Sequence, residues 1–251
     1  MSKRGFFITF EGPEGSGKSS QATWLAQVLR RRGRQVVLVR DPGSTVLGRR
    51  LRRVLLHTRR VRISPLEEAL LFIAGRVHLV EEQIRPALRR GCVVVCDRFH
   101  DSTMAYQGYG GGVDIAWLNR LGRRAIGGVM PRLTIVLDVP TSVGFSRIKG
   151  RRDRMEQKAR AFHHAVRQGF LKLARREPRR FVVLNATRPK RELHEQILTI
   201  VGQRVTPEAG RPRRARRLAS HPRRQAGREM ESPEHGGVAQ RQALLPIAFR
   251  D

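Results

Sequence analysis

One short stretch carries the plainest chemistry in the chain. Gly12-Pro13-Glu14-Gly15-Ser16-Gly17-Lys18-Ser19 fits the pattern G-x-x-x-x-G-K-[ST]. The glycines let successive backbone N–H groups point into one concavity that binds phosphate oxygens, and a helix starting at Lys18 adds the positive end of its dipole. Lys18 is placed to reach the β- and γ-phosphates of a nucleoside triphosphate, and the Ser19 hydroxyl to take a Mg²⁺ position, with Gly12 to Ser20 as the nucleotide-binding stretch. A second element supports the first. Val93-Val94-Val95-Cys96 runs into Asp97, and a carboxylate at that strand end holds Mg²⁺ directly or through water. The run Leu133–Leu137 ends the same way in Asp138, which is read as a structural turn residue.

These groups need a scaffold, and the sequence describes one. Short apolar runs alternate with longer segments of helical period, the pattern of βαβ units and a parallel sheet. Five strands are expected: Phe6–Glu11, Gln35–Arg40, Cys92–Asp97, Leu133–Val139 and Phe181–Asn185. Their continuous Val, Ile, Leu and Phe content suits a sheet covered on both faces. Helices are expected over Lys18–Arg32, Val46–His57, Pro65–Arg90, Val113–Ile126, Thr141–Lys149, Met155–Arg175 and Lys190–Val205. The fold class is therefore α/β: a three-layer phosphate-loop fold with a five-stranded parallel sheet flanked by helices.

Composition narrows the classes further. The 251 residues carry 51 Lys+Arg against 21 Asp+Glu, a net charge of +30, with Arg supplying 45 of the cations. That balance favours phosphate-bearing or polyanionic partners. Residues 206–251 hold ten Arg and five acidic residues among repeated Pro and Gly, and read as a disordered basic tail. The tail's net +5 leaves +25 on residues 1–205, the expected domain. Cys92 and Cys96 cannot build a disulfide framework, and no run approaches the ~18 apolar residues of a membrane helix. Glu11 cuts short the N-terminal apolar run before it could serve as a signal core. A soluble cytoplasmic protein is expected. The eight His offer no metal-ligand spacing, and the adjacent His163-His164 pair reads as surface.

The remaining motifs point to a small kinase, since no N-K-x-D guanine signature is present. Over roughly residues 5–203 the chain resembles bacterial thymidylate kinase. The likeness rests on Phe10–Ser19, Arg40-Asp41-Pro42-Gly43-Ser44-Thr45, Leu71-Phe72-Ile73-Ala74-Gly75-Arg76, Asp97-Arg98-Phe99, Ser102–Gly108 and Asp153-Arg154-Met155-Glu156, in that order. It implies transfer of the ATP γ-phosphoryl group to dTMP, with Mg²⁺, giving dTDP, and a homodimer as the family's usual assembly. Several negative charges must meet in such a reaction, so cations have to converge on the gap. By the resemblance, Arg98 holds the acceptor phosphate and Arg52 is a second phosphate contact, although Arg49, Arg50 and Arg53 around it also fit a solvated face. Pro42 belongs to the same loop.

By the same resemblance, base recognition is expected to fall to Phe72 and Arg76, whose i, i+4 spacing sets them on one helical face. Thr103, with Ser102 and Gln107 nearby, matches the base edge. Tyr106 matches the aromatic against the sugar that disfavours a 2′-OH, and Glu14 matches a carboxylate accepting from the 3′-OH. Asp41 stands where the family usually has Glu, and is expected to orient Mg²⁺ water with a shorter reach; Ser44 replaces a Gly. The phosphate loop has no arginine of its own, so a lid at about 147–156 is expected to supply the transition-state cation, from Arg151 first and Arg147 second. The ionised acceptor needs no strong general base. Two other readings stay open: a kinase for another nucleoside monophosphate, and a nucleic-acid-binding phosphate-loop protein with a decayed site, acting through the basic tail.

Overall fold

The computed structural model describes residues 5–58, 61–150 and 152–205. Arg151 and the basic segment 206–251 lie outside the described residues. All five expected strands form, within a residue at each end: β1 Phe6–Glu11, β2 Val36–Arg40, β3 Val93–Asp97, β4 Leu133–Asp138 and β5 Phe181–Asn185. They make one all-parallel sheet of order β2-β3-β1-β4-β5. Alternation along the strands divides the apolar side chains between two faces. Phe6, Ile8 and Phe10 join Val93, Val95, Leu133 and Ile135 under α1 (Lys18–Arg31) and α9 (Lys190–Val205). Phe7, Val94 and Cys96 face the opposite way, against Leu79, Val80, Ile84 and Phe99.

The first strand is flanked on both sides, so its carboxyl end opens into the crevice where chain direction reverses. Register decides what meets there: Asp97 lies opposite Phe10 on one side and Arg40 on the other. The helices around this end are α2 (Val46–His57), α3 (Pro65–Leu79), α5 (His100–Thr103), α6 (Ile115–Ala125), α7 (Thr141–Ser146) and α8 (Arg160–Arg176). Ser64 starts α3 with a reciprocal capping box to Glu67, and Pro65 takes the first turn.

The structure departs from the sequence expectation in four helical segments, the simplest being α7, which ends at Ser146 and not at Lys149. Pro65–Arg90 is one rod, but it widens to π turns over Val80–Ile84 before α4 (Arg85–Arg89). Pro86 explains the change, because it lacks the N–H that an α turn would use. A helix that the sequence reading missed runs through α5 and on as π turns over Met104–Gly110. The expected helix from Met155 begins instead at Arg160. Residues 153–158 form turns in which Asp153 and Glu156 each accept from the other's backbone N–H.

Candidate active site

The phosphate loop wraps around the start of α1 with Gly12, Gly15 and Gly17 all at positive φ. Gly15 is needed for a second reason: a Cβ there would lie 1.9 Å from the Gly144 carbonyl oxygen on α7, and one on Gly144 would lie 2.3 Å from the Glu14 carbonyl oxygen. The loop is thus fixed against α7 by backbone-to-backbone contact. Lys18 is buried and turned back into the loop, donating to the Pro13 carbonyl at 2.6 Å and to Ser16 Oγ at 3.1 Å. Burial, then the neighbouring Arg98, pushes its pKa down to about 8.

Ser19 Oγ donates to Asp97 Oδ2 at 2.6 Å. Arg40 closes the same corner, its Nε 2.9 Å from Asp97 Oδ2 and its Nη2 2.7 Å from Ser19 Oγ. Burial works against the Asp97 charge, but the Ser19 hydroxyl and the adjacent cations outweigh it and lower the pKa. A hydroxyl and a carboxylate at a phosphate loop are hard oxygen donors suited to Mg²⁺, which takes few protein ligands and completes its shell with phosphate and water. Among the described residues no cluster of three or more His, Cys, Asp or Glu is arranged to hold a metal by itself.

Arg98 follows Asp97 and is the only described non-glycine residue at positive φ, 67°, a conformation that costs energy outside glycine. The conformation is imposed from both sides. Its backbone N–H donates to the Phe10 carbonyl, and the next N–H, that of Phe99, donates to Glu11 Oε1 at 2.8 Å. Ser102 Oγ donates to the other Glu11 oxygen at 2.5 Å. Burial, then Asp101, pushes the Glu11 pKa up to about 8. Arg98 donates to the Gly12 carbonyl, Ser102 Oγ, Glu14 Oε2 and the Tyr106 hydroxyl, all at 3.0–3.2 Å. Tyr106 in turn donates to Glu14 Oε1 at 2.6 Å. Burial would raise the Glu14 pKa, but Arg98, Lys18 and the Tyr106 hydroxyl reverse the effect and hold it at about 2. Glu14 is therefore an ionised acceptor between the two halves of the site.

These groups line a cavity of about 330 Å³ whose walls also include Pro42, Arg52, Phe72, Arg76, Thr103 and Gln107. Gly15, Gly17 and Ser20 line it too, whereas Gly12, Pro13 and Ser16 act behind the surface through their contacts with Arg98 and Lys18. Arg52 donates to the Pro42 carbonyl at 3.3 Å, so it faces the pocket rather than solvent. Sequence reasoning assigned no role to Arg40, Leu56, Asp153, Met155 and Glu156, which complete the wall. The signal for the last three was the Asp153–Glu156 motif itself.

Three expectations are corrected. Asp41 lines the same cavity as Ser19 and Asp97, but the side-chain partner its carboxylate takes is Arg76 and neither of those two. It is buried against Arg76, with Oδ2 2.5 Å from Nε, while Arg76 Nη2 donates to Thr103 Oγ1 at 2.9 Å. The Phe99 ring lies 5.4 Å under the guanidinium carbon. The shorter aspartate thus holds Arg76 in place beside Thr103. Nor do the described lid cations point into the cavity. Arg147 donates to the Ala186 carbonyl at 2.8 Å, Arg152 lies over Phe145, and Arg154 is drawn to Glu68 at 2.8 Å. Arg151, the first choice from sequence, is outside the described residues. Finally, His163 is buried beside Phe145 and Phe162, while His164 alone is exposed. Asp138 is structural as expected, paired with Arg167 through two contacts of 2.7 and 2.8 Å.

The sequence matches the family model described as thymidylate kinase over residues 10–197. A thymidylate kinase from Deinococcus radiodurans is 48% identical over 203 residues, covering 80% of this chain and 98% of that protein. One from Pseudomonas fluorescens is 47% identical, covering 77% and 93%. The crystal structure of thymidylate kinase from Ehrlichia chaffeensis superposes with a TM-score of 0.65 at 34% identity, covering 78% of this chain and 98% of that one.

Proposed function

The chain belongs to the thymidylate kinase family, and from that premise we infer how its cavity divides the work. The protein is an ATP-dependent nucleoside monophosphate kinase that phosphorylates dTMP to dTDP, a step toward dTTP for DNA synthesis. The observation that carries the assignment of roles is the Arg98–Glu14–Tyr106 cluster beside the Lys18 loop, which sets an acceptor seat against a triphosphate seat.

In this reading the loop amides and Lys18 hold the triphosphate, and Ser19 and Asp97 hold Mg²⁺. The metal, when bound, neutralises the β- and γ-phosphate oxygens. Arg98 and Arg52 hold the acceptor phosphate, for which a bidentate guanidinium is well shaped. Glu14, ionised, accepts from the sugar 3′-OH, and Tyr106 closes the space where a 2′-OH would stand. Phe72 stacks on the base, while Arg76 and Thr103 meet its edge. Asp41 positions Arg76. Catalysis comes from alignment and charge neutralisation, because the attacking oxygen is already ionised.

A homodimer fits the surface of α2, α3 and α6, which pack side by side and leave Leu47, Val54, Leu66, Leu70 and Trp117 exposed. A cytoplasmic location goes with the dTMP kinase reading; no helix among the described residues is long and apolar enough to cross a membrane. The test of the whole reading is ADP release with Mg·ATP and a panel of monophosphates. dTMP is expected to be the preferred acceptor by at least tenfold in kcat/KM; a different favourite would reassign the base pocket, and no turnover would refute the kinase.

A further inference from the structure

Glu68 has no part in the roles above, yet it is one of the most completely enclosed charges in the protein. It lies on α3 with 0% exposure. Gln107 Nε2 donates to its Oε2 at 2.9 Å, and Arg154 Nη1 lies 2.8 Å from Oε1. Lys158 Nζ donates to both oxygens, at 2.9 and 3.1 Å. One carboxylate therefore joins two regions distant in sequence: the π-helical segment that carries Tyr106 and Gln107, and the turns that carry Met155 and Glu156 into the cavity.

The chemistry of each contact has a consequence. A carboxylate accepts and does not donate, so the amide of Gln107 must present its NH₂ to Glu68 and its carbonyl oxygen elsewhere. Among the described residues Gln107 Oε1 receives no hydrogen bond, and Gln107 lines the cavity. The cavity thus meets an acceptor at this point, which suits a base edge carrying an N–H, such as the imide of thymine, and opposes an edge with a bare ring nitrogen, as in cytosine. On the other side, Arg154 is also held by the Leu55 and Leu56 carbonyls of α2, at 2.7 Å through Nε and 3.0 Å through its backbone N–H. Glu68 supplies the anion that keeps Arg154 and Lys158 there. Stability alone is a weak reason for such an arrangement, since buried ion networks often do no better than apolar residues of the same volume.

We propose that Glu68 is a positioning residue that sets base choice through Gln107 and holds the turns of residues 152–158 through Arg154 and Lys158, so that the fit of the base and the seating of Met155 and Glu156 in the cavity wall are coupled. The proposal rests on the dTMP kinase reading. Glu68→Gln removes the anion and allows the Gln107 amide to turn over. In the full-length protein the preference for dTMP over dCMP in kcat/KM is expected to fall by at least about tenfold, the effect of one reversed hydrogen-bond partner on discrimination. The ratio of acceptor-free ATP hydrolysis to phosphoryl transfer is expected to rise at least threefold. A merely structural Glu68 would lower melting temperature and active fraction while leaving both ratios within threefold of the wild type, and that result overturns the proposal.

If Glu68→Gln does not fold, a cycle of Lys158→Met and Gln107→Leu carries the test. The two single effects on KM for dTMP should fail to multiply by at least threefold in the double variant; agreement within threefold overturns the coupling. Wild-type protein that ignores dTMP would refute the kinase reading itself, whereas wild-type turnover with unchanged ratios in the variants would refute only the role of Glu68.

Discussion

Lys18 sits among charges of both signs, and its pKa of about 8, lowered by burial and then by Arg98, makes it titrate near neutrality before any nucleotide arrives. The sign of the consequence is fixed. A bound triphosphate favours the ammonium, so binding raises the Lys18 pKa and takes up a proton at alkaline pH. ATP affinity should weaken as pH rises above about 8, approaching tenfold per unit. Titration calorimetry at pH 8.5, in buffers of different ionisation enthalpy, should show uptake of a fraction of a proton. Lys18→Arg, which stays charged, should abolish the uptake; persistence would place it on Glu11, whose pKa is also near 8. That Lys18, Ser19 and Asp97 meet at one cavity was legible in the sequence, because fixed spacing and chain order bring them together. The partner of Asp41 was not. Whether a carboxylate meets a metal corner or Arg76, far along the chain, depends on packing that no local pattern encodes.

At the level of elements, the strands were readable because burial on both faces favours apolar runs: β1 and β3 are buried at every position and apolar except at Thr9, Glu11 and Asp97. Helix α5 and its π continuation were hidden for the opposite reason. His100-Asp101-Ser102-Thr103 lacks an apolar stripe, since these side chains serve buried hydrogen bonds to Glu11, Asn119, Arg180 and Arg76. The closure of the phosphate loop onto α7 is an element-scale contact with a direct test. In Gly144→Ala the new methyl meets the Glu14 carbonyl at 2.3 Å, and overpacking of this kind costs about 1–3 kcal/mol. Denaturant unfolding should show that loss. The KM values for ATP and dTMP should rise together, because the displaced peptide belongs to the loop between the two seats. An effect on stability alone would show that the loop adjusts without disturbing the nucleotides.

For the molecule as a whole, the exposed apolar face across α2, α3 and α6 is the feature that predicts assembly. Leu66 and Leu70, one helical turn apart on α3, are 44% and 45% exposed. Burying a leucine contributes about 1.5–3 kcal/mol, so Leu66→Glu with Leu70→Glu, present in both copies, should weaken a dimer by about 100-fold or more. Sedimentation velocity would read the shift to monomer, and wild-type protein that already sediments as a monomer would dismiss this face as an interface. A different consequence follows from Glu14 and Lys18 sharing one tightly folded piece of backbone. On the proposed assignment of Lys18 to the triphosphate and Glu14 to the acceptor sugar, the gauge between donor and acceptor is cut into a single loop rather than set by the meeting of two bodies. In that assignment the gap the phosphoryl group crosses is inherited from the loop.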